Sequence, residues 1–461
     1  MEEVKAKKRS REVDMLHGPL LKKIVLFALP ILATGILQQL FNAADVAVLG
    51  RFDTSEALAA VGSVGPVIGL LVNLFLGLST GANVVLASLI GSGEGKRIPR
   101  AMHSAFSIAI ISGFFLLIVG QFVARPMLTL MNTPKEIIDL AVKYLKIYFT
   151  GMPFMLLYNF GAAVLRSKGD SHRPLICLVF GGILNVGLNL LLVIYYKMSV
   201  SGVAIATVMS NVVCCFLILW FLSREEGVFH FEWKKLCLDR TLSSRIIYIG
   251  APAGLQGVVF SISNVCIQSA LNGFGYYAVA GSSAAVNFEF LSYFILNAFD
   301  QATTTFTSQN YAAGEAQRCK KIFRECFWCG FLSILIFDAA LVLTRTTCIQ
   351  LFSQDPQVIH YALIRMVIVI STQPISATYE ISGSTLRGMG HSMLPALITI
   401  LGTCVIRLIW VYLLFPIFST FEMLLIIYPI SWIITGIAMT GFYYHLRKKD
   451  FALLPEKEQK N

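Results

Sequence analysis

The sequence predicts an all-α integral membrane protein of twelve transmembrane helices arranged as two pseudo-symmetric six-helix lobes. Three observations predict it: a composition too apolar for water, twelve successive apolar runs long enough to span a bilayer, and an internal repeat that lays the second half over the first.

Of 461 residues, 56% are hydrophobic and only 14% charged, and the mean hydropathy is +0.71. A soluble domain of this length does not carry such a balance. A hydrocarbon core of ~30 Å takes about 20 mostly apolar residues per helix. Runs of that kind fall at roughly 20–50, 57–90, 101–125, 138–165, 174–196, 201–222, 246–272, 278–312, 325–345, 358–386, 394–418 and 422–446. They lack the two-residue alternation of a barrel strand, so helices satisfy the backbone within each span. The first run is long, carries Asp45 and ends without a small-residue cleavage site, so it is expected to be retained rather than removed as a signal peptide.

The formal charge of +11 raises the question of a nucleic-acid partner. Most of the 37 lysines and arginines instead fall in the N-terminal segment, in the loops after runs 2, 4, 6, 8 and 10, and in the C-terminal tail. That bias is the positive-inside rule at work. It predicts a multi-pass protein of the inner (cytoplasmic) membrane with both termini cytoplasmic, whose partners are the lipid bilayer and small molecules and not nucleic acid.

Sliding the chain by about 221 residues brings the halves into register. Ala28-Leu29-Pro30 lies over Gly250-Ala251-Pro252, Pro153 over Pro374, Tyr158 over Tyr379, Leu165-Arg166 over Leu386-Arg387, and Gly169 over Gly390. Each half holds six spans, so the repeats are parallel, a transporter layout. The expected organisation is a cytoplasmic segment 1–19, an N-lobe 20–222, a cytoplasmic linker 223–245, a C-lobe 246–446 and a cytoplasmic tail 447–461. Charges break this symmetry. Asp45 falls opposite Cys266 or Ile267, Glu380 opposite Asn159, and Arg407 opposite Val186.

An aspartate at mid-membrane costs roughly 2.5–3.5 kcal/mol on insertion scales, so Asp45 calls for a partner or a role. Gln38, Asn42 and Asp45 are spaced i, i+4, i+7 on one face of helix 1, expected to point into the bundle. Asn185 and Asn189 form a polar face on helix 5, followed by Thr207 on helix 6. Together they could form an oxygen-lined pocket able to exchange a proton for a hard cation, with a sodium ion held at Asp45, Asn185, Asn189 and Thr207. The bland alternative is that the amides only join helices. The second half has Glu289, Asp300, Glu380 and Arg407. Arg407 is expected to be neutralised by Glu380, Asp300 or Glu289, leaving negative charge for a cationic substrate, and a purely structural ion pair is an equal alternative. Asp338 has no evident partner.

Other signals carry less. The stretch Gly91 to Arg97 (GSGEGKR) has a misplaced first glycine and Arg97 where a phosphate loop needs Ser or Thr. Cys326 and Cys329 form a lone CxxC without a second pair. No HExxH is present and no histidine lies deep in a span. With no catalytic motif and no nucleotide-binding domain, the chain reads as a transporter and not an enzyme, without a cofactor, driven by an ion gradient or by the substrate's own.

The residues also carry a family resemblance. Pro30 leading to Gln38-Gln39, Asn42 and Asp45, then Gly50-Arg51, and the run Ala57 to Gly62, resemble the start of a MATE (multidrug and toxic compound extrusion) transporter. Leu165-Arg166 with Gly169-Asp170, its repeat Leu386-Arg387-Gly388, and the stretch Gln309 to Glu315 resemble further stretches of that family. The likeness implies a multidrug efflux antiporter that exports cationic amphipathic compounds, small organic cations, in exchange for H+ or Na+ by alternating access, functioning as a monomer. By position, the family's helix 1 carboxylate is Asp45 and its partners Asn185, Asn189 and Thr207. Many relatives have an aspartate at Asn189, and the C-lobe acids of some relatives fall here on Gln256 and Ser376. Three rivals are a flippase or exporter of a lipid-linked or polar metabolite, which predicts a basic cavity, a membrane-embedded lipid transferase, which needs a catalytic cluster, and a channel, which would conduct ions without substrate.

Overall fold

The computed structural model describes residues 12–131 and 133–452. Residues 1–11 and 453–461, which hold much of the expected N-terminal segment and tail, lie outside the described residues. The described chain is helical, without a strand.

Among the described residues, eleven helices are long and apolar enough to cross a membrane, and one bent pair, taken as one span, makes a twelfth. They are α1 (Leu20–Phe52), α2 (Ser55–Gly91), α3 (Gly95–Leu130), α4 (Lys135–Thr150 with Met152–Ser167), α5 (His172–Tyr195), α6 (Ser199–Ser223), α7 (Arg240–Asn272), α8 (Tyr276–Ala312), α9 (Ala316–Leu343), α10 (Pro356–Gly388), α11 (Met393–Phe418) and α12 (Phe421–Ala452). Several start where local chemistry supplies a cap. Thr54 accepts from the Ala57 amide at 3.2 Å before α2, and Asp355 accepts from the Gln357 amide at 2.8 Å before α10, where Pro356 opens the first turn. The spans agree with the twelve apolar runs, but α7 and α9 begin earlier than 246 and 325. Hydropathy marks the apolar stretch of a helix and misses a first turn rich in Arg, Lys and Gln.

The joint in α4 follows from Gly151 and Pro153. The two segments meet at 49°, with the proline in the first turn of the second, where its missing N–H costs nothing and its ring fixes φ. Its repeat mate Pro374 lies in a 3₁₀ stretch, Ile370–Ser376, within α10. Both halves thus keep a defect at this place in different forms.

Two compact units are present: Met1–Asp14 with Leu29–Val258, and Met15–Ala28 with Val259–Asn461. This division cuts α1 and α7 part-way, whereas the repeat places the lobe boundary in the loop 223–245.

In the first unit, packing rests on backbone-to-backbone approach. A Cβ on Gly77 would stand 2.2 Å from the Gly254 nitrogen, one on Gly81 2.2 Å from the Ile246 carbonyl, and one on Gly254 2.2 Å from the Leu74 carbonyl. Paired small-xxx-small stripes on α2 and α7 therefore let the helices touch, the arrangement that van der Waals packing favours when lipid supplies no hydrophobic drive. The loop after α6 is pinned to α3. The Glu232 amide donates to His103 Nε2 at 3.2 Å, the Asp239 amide to Ser104 Oγ at 3.0 Å, and Phe231 stacks on His103 at 5.5 Å.

An ionic cluster closes the same unit. Lys168 Nζ lies 2.7 Å from Glu12 and 2.9 Å from Glu225, and Arg173 pairs with Asp170 at 2.7 Å and also with Glu225. Burial alone would push the Glu225 carboxyl up, but hydrogen bonds and charge from Arg173 and Lys168 outweigh it and hold it below its usual range. Asp170 goes the other way, because its burial exceeds the pull of Arg173. The Val13 amide donates to the Gly169 carbonyl at 3.0 Å. Gly169 has φ +97°, and a Cβ there would meet the Val13 oxygen at 2.3 Å, so only glycine suits this contact.

In the second unit α8 packs along α9 and α10, and α10 along α12. Tyr443 stacks on Phe323 at 4.2 Å and Phe27 meets Phe306 edge-on at 5.7 Å. Asn310 donates to the Met15 carbonyl at 3.1 Å, and Arg318 to the Met15, His17 and Gly18 carbonyls at 3.0–3.3 Å.

Candidate ion-coupling site

Asp45 lies seven residues before the end of α1 and is 8% exposed. Asn189, in the last α-helical turn of α5, donates Nδ2 to Asp45 Oδ1 and to Asn185 Oδ1 at 3.2 Å. The i, i+4 spacing stacks the two amides on one face, so one orients the other. Thr207 of α6 stands 3.4 Å from Asp45 Oδ2. Its hydroxyl has a better acceptor in the Val203 carbonyl at 3.0 Å, which leaves the second carboxylate oxygen weakly held. Among the described residues no Lys or Arg pairs with Asp45, and the buried Asn189 Oδ1 has no hydrogen-bond partner. A buried carboxylate without a basic partner thus sits among amide N–H groups and a hydroxyl, with one amide oxygen left unbonded beside it, a setting in which a proton or a hard monovalent cation would balance the charge.

The other two members of the predicted stripe, Gln38 and Asn42, do not join this cluster: both are exposed. Seven residues of helix run about 10 Å along the axis, and although α5 continues along α1 as far as the Phe41 ring against Gly182, it leaves both amides exposed. One member was missed. Tyr144 of α4 is buried beside Thr207, and it stacks on Tyr148 at 6.0 Å. Tyrosines at 144 and 148 are one turn apart, a spacing visible in the sequence but indistinguishable there from ordinary core.

The second unit distributes its charges differently from expectation. Glu289 is taken by Arg365, through Nε–Oε1 at 2.6 Å and Nη2–Oε2 at 3.0 Å. Asp300 accepts from Ser384 and lies 3.9 Å from Arg387. Glu380, Ser384 and Arg387 share a face of α10 at i, i+4, i+7, so Glu380 stands in the field of the Asp300–Arg387 pair. None of these acids pairs with Arg407, which corrects the expected neutralisation: two other arginines are nearer to them. Asp338, expected to be without a partner, accepts from Ser292. Gln256, grouped from the sequence with the C-lobe acids, falls in the first unit, because the part of α7 up to Val258 belongs there. Cys326 and Cys329 are free thiols, and no group of three metal-ligating side chains occurs among the described residues.

The MatE family model matches residues 30–191 and 252–413, once in each half, with Asp45, Asn185 and Asn189 inside the first match and Arg407 inside the second. The chain belongs to the MatE family. Among curated relatives, the probable multidrug resistance protein YoeA of Bacillus subtilis is 24% identical over 93% of this chain and 94% of its own length. The probable multidrug resistance protein NorM of Thermotoga maritima is 26% identical over 84% of each. Among solved structures, a MOP superfamily transporter from Pyrococcus furiosus shares the fold with a TM-score of 0.88 at 22% identity, over 95% of this chain and 98% of that one. This MatE protein is therefore a multi-pass membrane transporter of the multidrug efflux family, with the two-lobe, twelve-helix fold. MATE transporters are not enzymes, need no cofactor, and work as monomers on small organic substrates.

Proposed function

We propose that this MatE protein is a secondary active efflux antiporter of the cytoplasmic membrane, with both termini cytoplasmic, exporting cationic amphipathic compounds in exchange for H+ or Na+ by alternating access. The observation that carries the reading is the buried Asp45 carboxylate, held by Asn189 with Asn185 and Thr207 around it and no basic partner among the described residues. A negative charge in this setting is balanced by whichever cation reaches it. Arrival and departure of that cation change the hydrogen bonds of α1, α5 and α6 together. That gives two packings of one site, and a gradient biases them through its differential binding. The lobe assignment 20–222 and 246–446 belongs to this reading, the N-lobe carrying the coupling site and Glu380, Asp300 and Arg387 supplying the polar face of the C-lobe.

The test is transport of an ethidium-type cation in proteoliposomes under a proton gradient and a sodium gradient imposed separately, wild type beside Asp45→Asn. Transport that follows one gradient and stops in the variant identifies the ion. Efflux that persists in Asp45→Asn refutes the mechanism.

A further inference from the structure

Among the described residues of the second unit, one buried cation has no carboxylate partner. Arg407 lies near the middle of α11, about 21 Å from Met393 and about 17 Å from Phe418 along the axis, and is 1% exposed. Its Nε donates to Ser431 Oγ at 3.1 Å, while Nη2 is buried with no acceptor among the described residues. In place of a carboxylate it meets two rings, Tyr428 at 4.4 Å and Phe260 at 5.3 Å from Cζ to centroid. Tyr428 also carries Arg365, at 5.4 Å, whose charge Glu289 already answers in a two-pronged pair. Two guanidinium groups share one ring, and the one carboxylate pairs with Arg365 alone, so this cluster has an excess of one positive charge. Rings attract a guanidinium but do not replace a counter-ion at this depth.

The backbone marks the same place. Arg407 sits on a short α segment, Ile406–Ile409, between two π-helical stretches, Ile400–Val405 and Trp410–Leu414. The repeat mate α5 has the second of these, at Leu190–Tyr195, but is regular α-helix before Val186, the mate of Arg407. The extra wide turn therefore accompanies the arginine. π-bulges of this kind occur often at functional sites.

We propose that Arg407, with Phe260 and Tyr428 over it, is an anion-recognition site that takes the acidic group of an aromatic monoanion, a carboxylate or similar oxyanion on a flat ring. The acid supplies the acceptor Nη2 lacks and the single negative charge the cluster needs, and the aromatic body stacks on the half-buried rings. Phe260 and Tyr428 cover the guanidinium here, so entry requires one ring to turn aside. The depth of Arg407 excludes a lipid headgroup. A free inorganic anion shares the charge but gains nothing from the rings.

The first arm of the test uses folded wild-type protein. Thermal unfolding in detergent is followed with 2-naphthoate, with its methyl ester and with sodium chloride at equal concentration. The proposal expects a rise in Tm with the carboxylate that ester and chloride do not give, loss of that rise in Arg407→Gln, partial retention in Arg407→Lys, and weakening in Phe260→Ala. The second arm compares proteoliposome transport of a fluorescent aromatic carboxylate and a cationic dye, expecting their ratio to fall at least tenfold in Arg407→Gln. Equal stabilisation by the ester, equal stabilisation by chloride, no stabilisation of wild type, or an unchanged ratio would each overturn it. The binding arm needs no gradient, so its result is separable from the exchange at Asp45.

Discussion

Helices α5 and α11 occupy matching places in the repeat and do opposite chemistry. On α5, Asn185 and Asn189 turn toward the Asp45 carboxylate. On α11 the mates of those amides are Ile406 and Trp410, the Trp410 indole donates to the Met423 carbonyl at 2.9 Å, and the charged residue is Arg407. The partner helices differ in the same sense. Cys266, a mate of Asp45, accepts only a weak contact from Tyr412, at 3.9 Å. The matching helix pairs α1–α5 and α7–α11 thus carry opposite charge, a carboxylate on α1 in one and a guanidinium on α11 in the other.

That contrast can be broken experimentally. The largest effect is expected from Asp45→Asn, which should bring gradient-driven efflux close to background, while Cys266→Ala at the mate leaves it within about twofold. Equal loss in both would mean the pair is only structural. Next comes Asn189→Leu. A hydrogen bond to a charged group is worth roughly 1.5–3 kcal/mol, so efflux under a fixed gradient should fall by about tenfold or more. Thr207→Val should cost only a few-fold, because its hydroxyl is better bonded to the Val203 carbonyl than to Asp45.

The smallest effect concerns stability and pH. The folded-state pKa of Glu225 is depressed, so its contribution is present above the unfolded carboxylate value and is lost as pH falls through the lower folded one. Asp170 is raised, so its charged form disfavours the fold and acid relieves it. Glu225→Gln should lower Tm at neutral pH by roughly a few degrees, and the gap to wild type should close on acidification below the usual carboxylate range. A gap that does not change with pH would assign the loss to packing instead of charge.

Much of this was legible in the sequence. Apolar length gave the spans, and the repeat gave the halves. The i, i+4 amides of α5 together with a costly aspartate picked out side chains that do meet in the fold. What periodicity cannot provide is the neighbour. It put Gln38 and Asn42 on the same face as Asp45, but could not show that α5 covers Asp45 and Phe41 and leaves the two amides exposed. It showed four charges in the second half, but not that Arg365 and Arg387 stand nearer to Glu289 and Asp300 than Arg407 does. Tyr144 could not be told from core, since a buried tyrosine becomes informative only once it is seen beside Thr207.

The exchanged segments of α1 and α7 bear on what a half-length gene could encode. A chain cut within 223–239 would leave Met15–Ala28 on the first fragment, though that stretch packs in the second unit, and Arg240–Val258 on the second fragment, though it packs in the first through the Gly250 and Gly254 contacts. Each product would lack a piece of helix held by the other and would expose a bare glycine or aromatic face in its place. The exchanged segments predict that neither half folds fully alone and that split versions assemble only when both are made together.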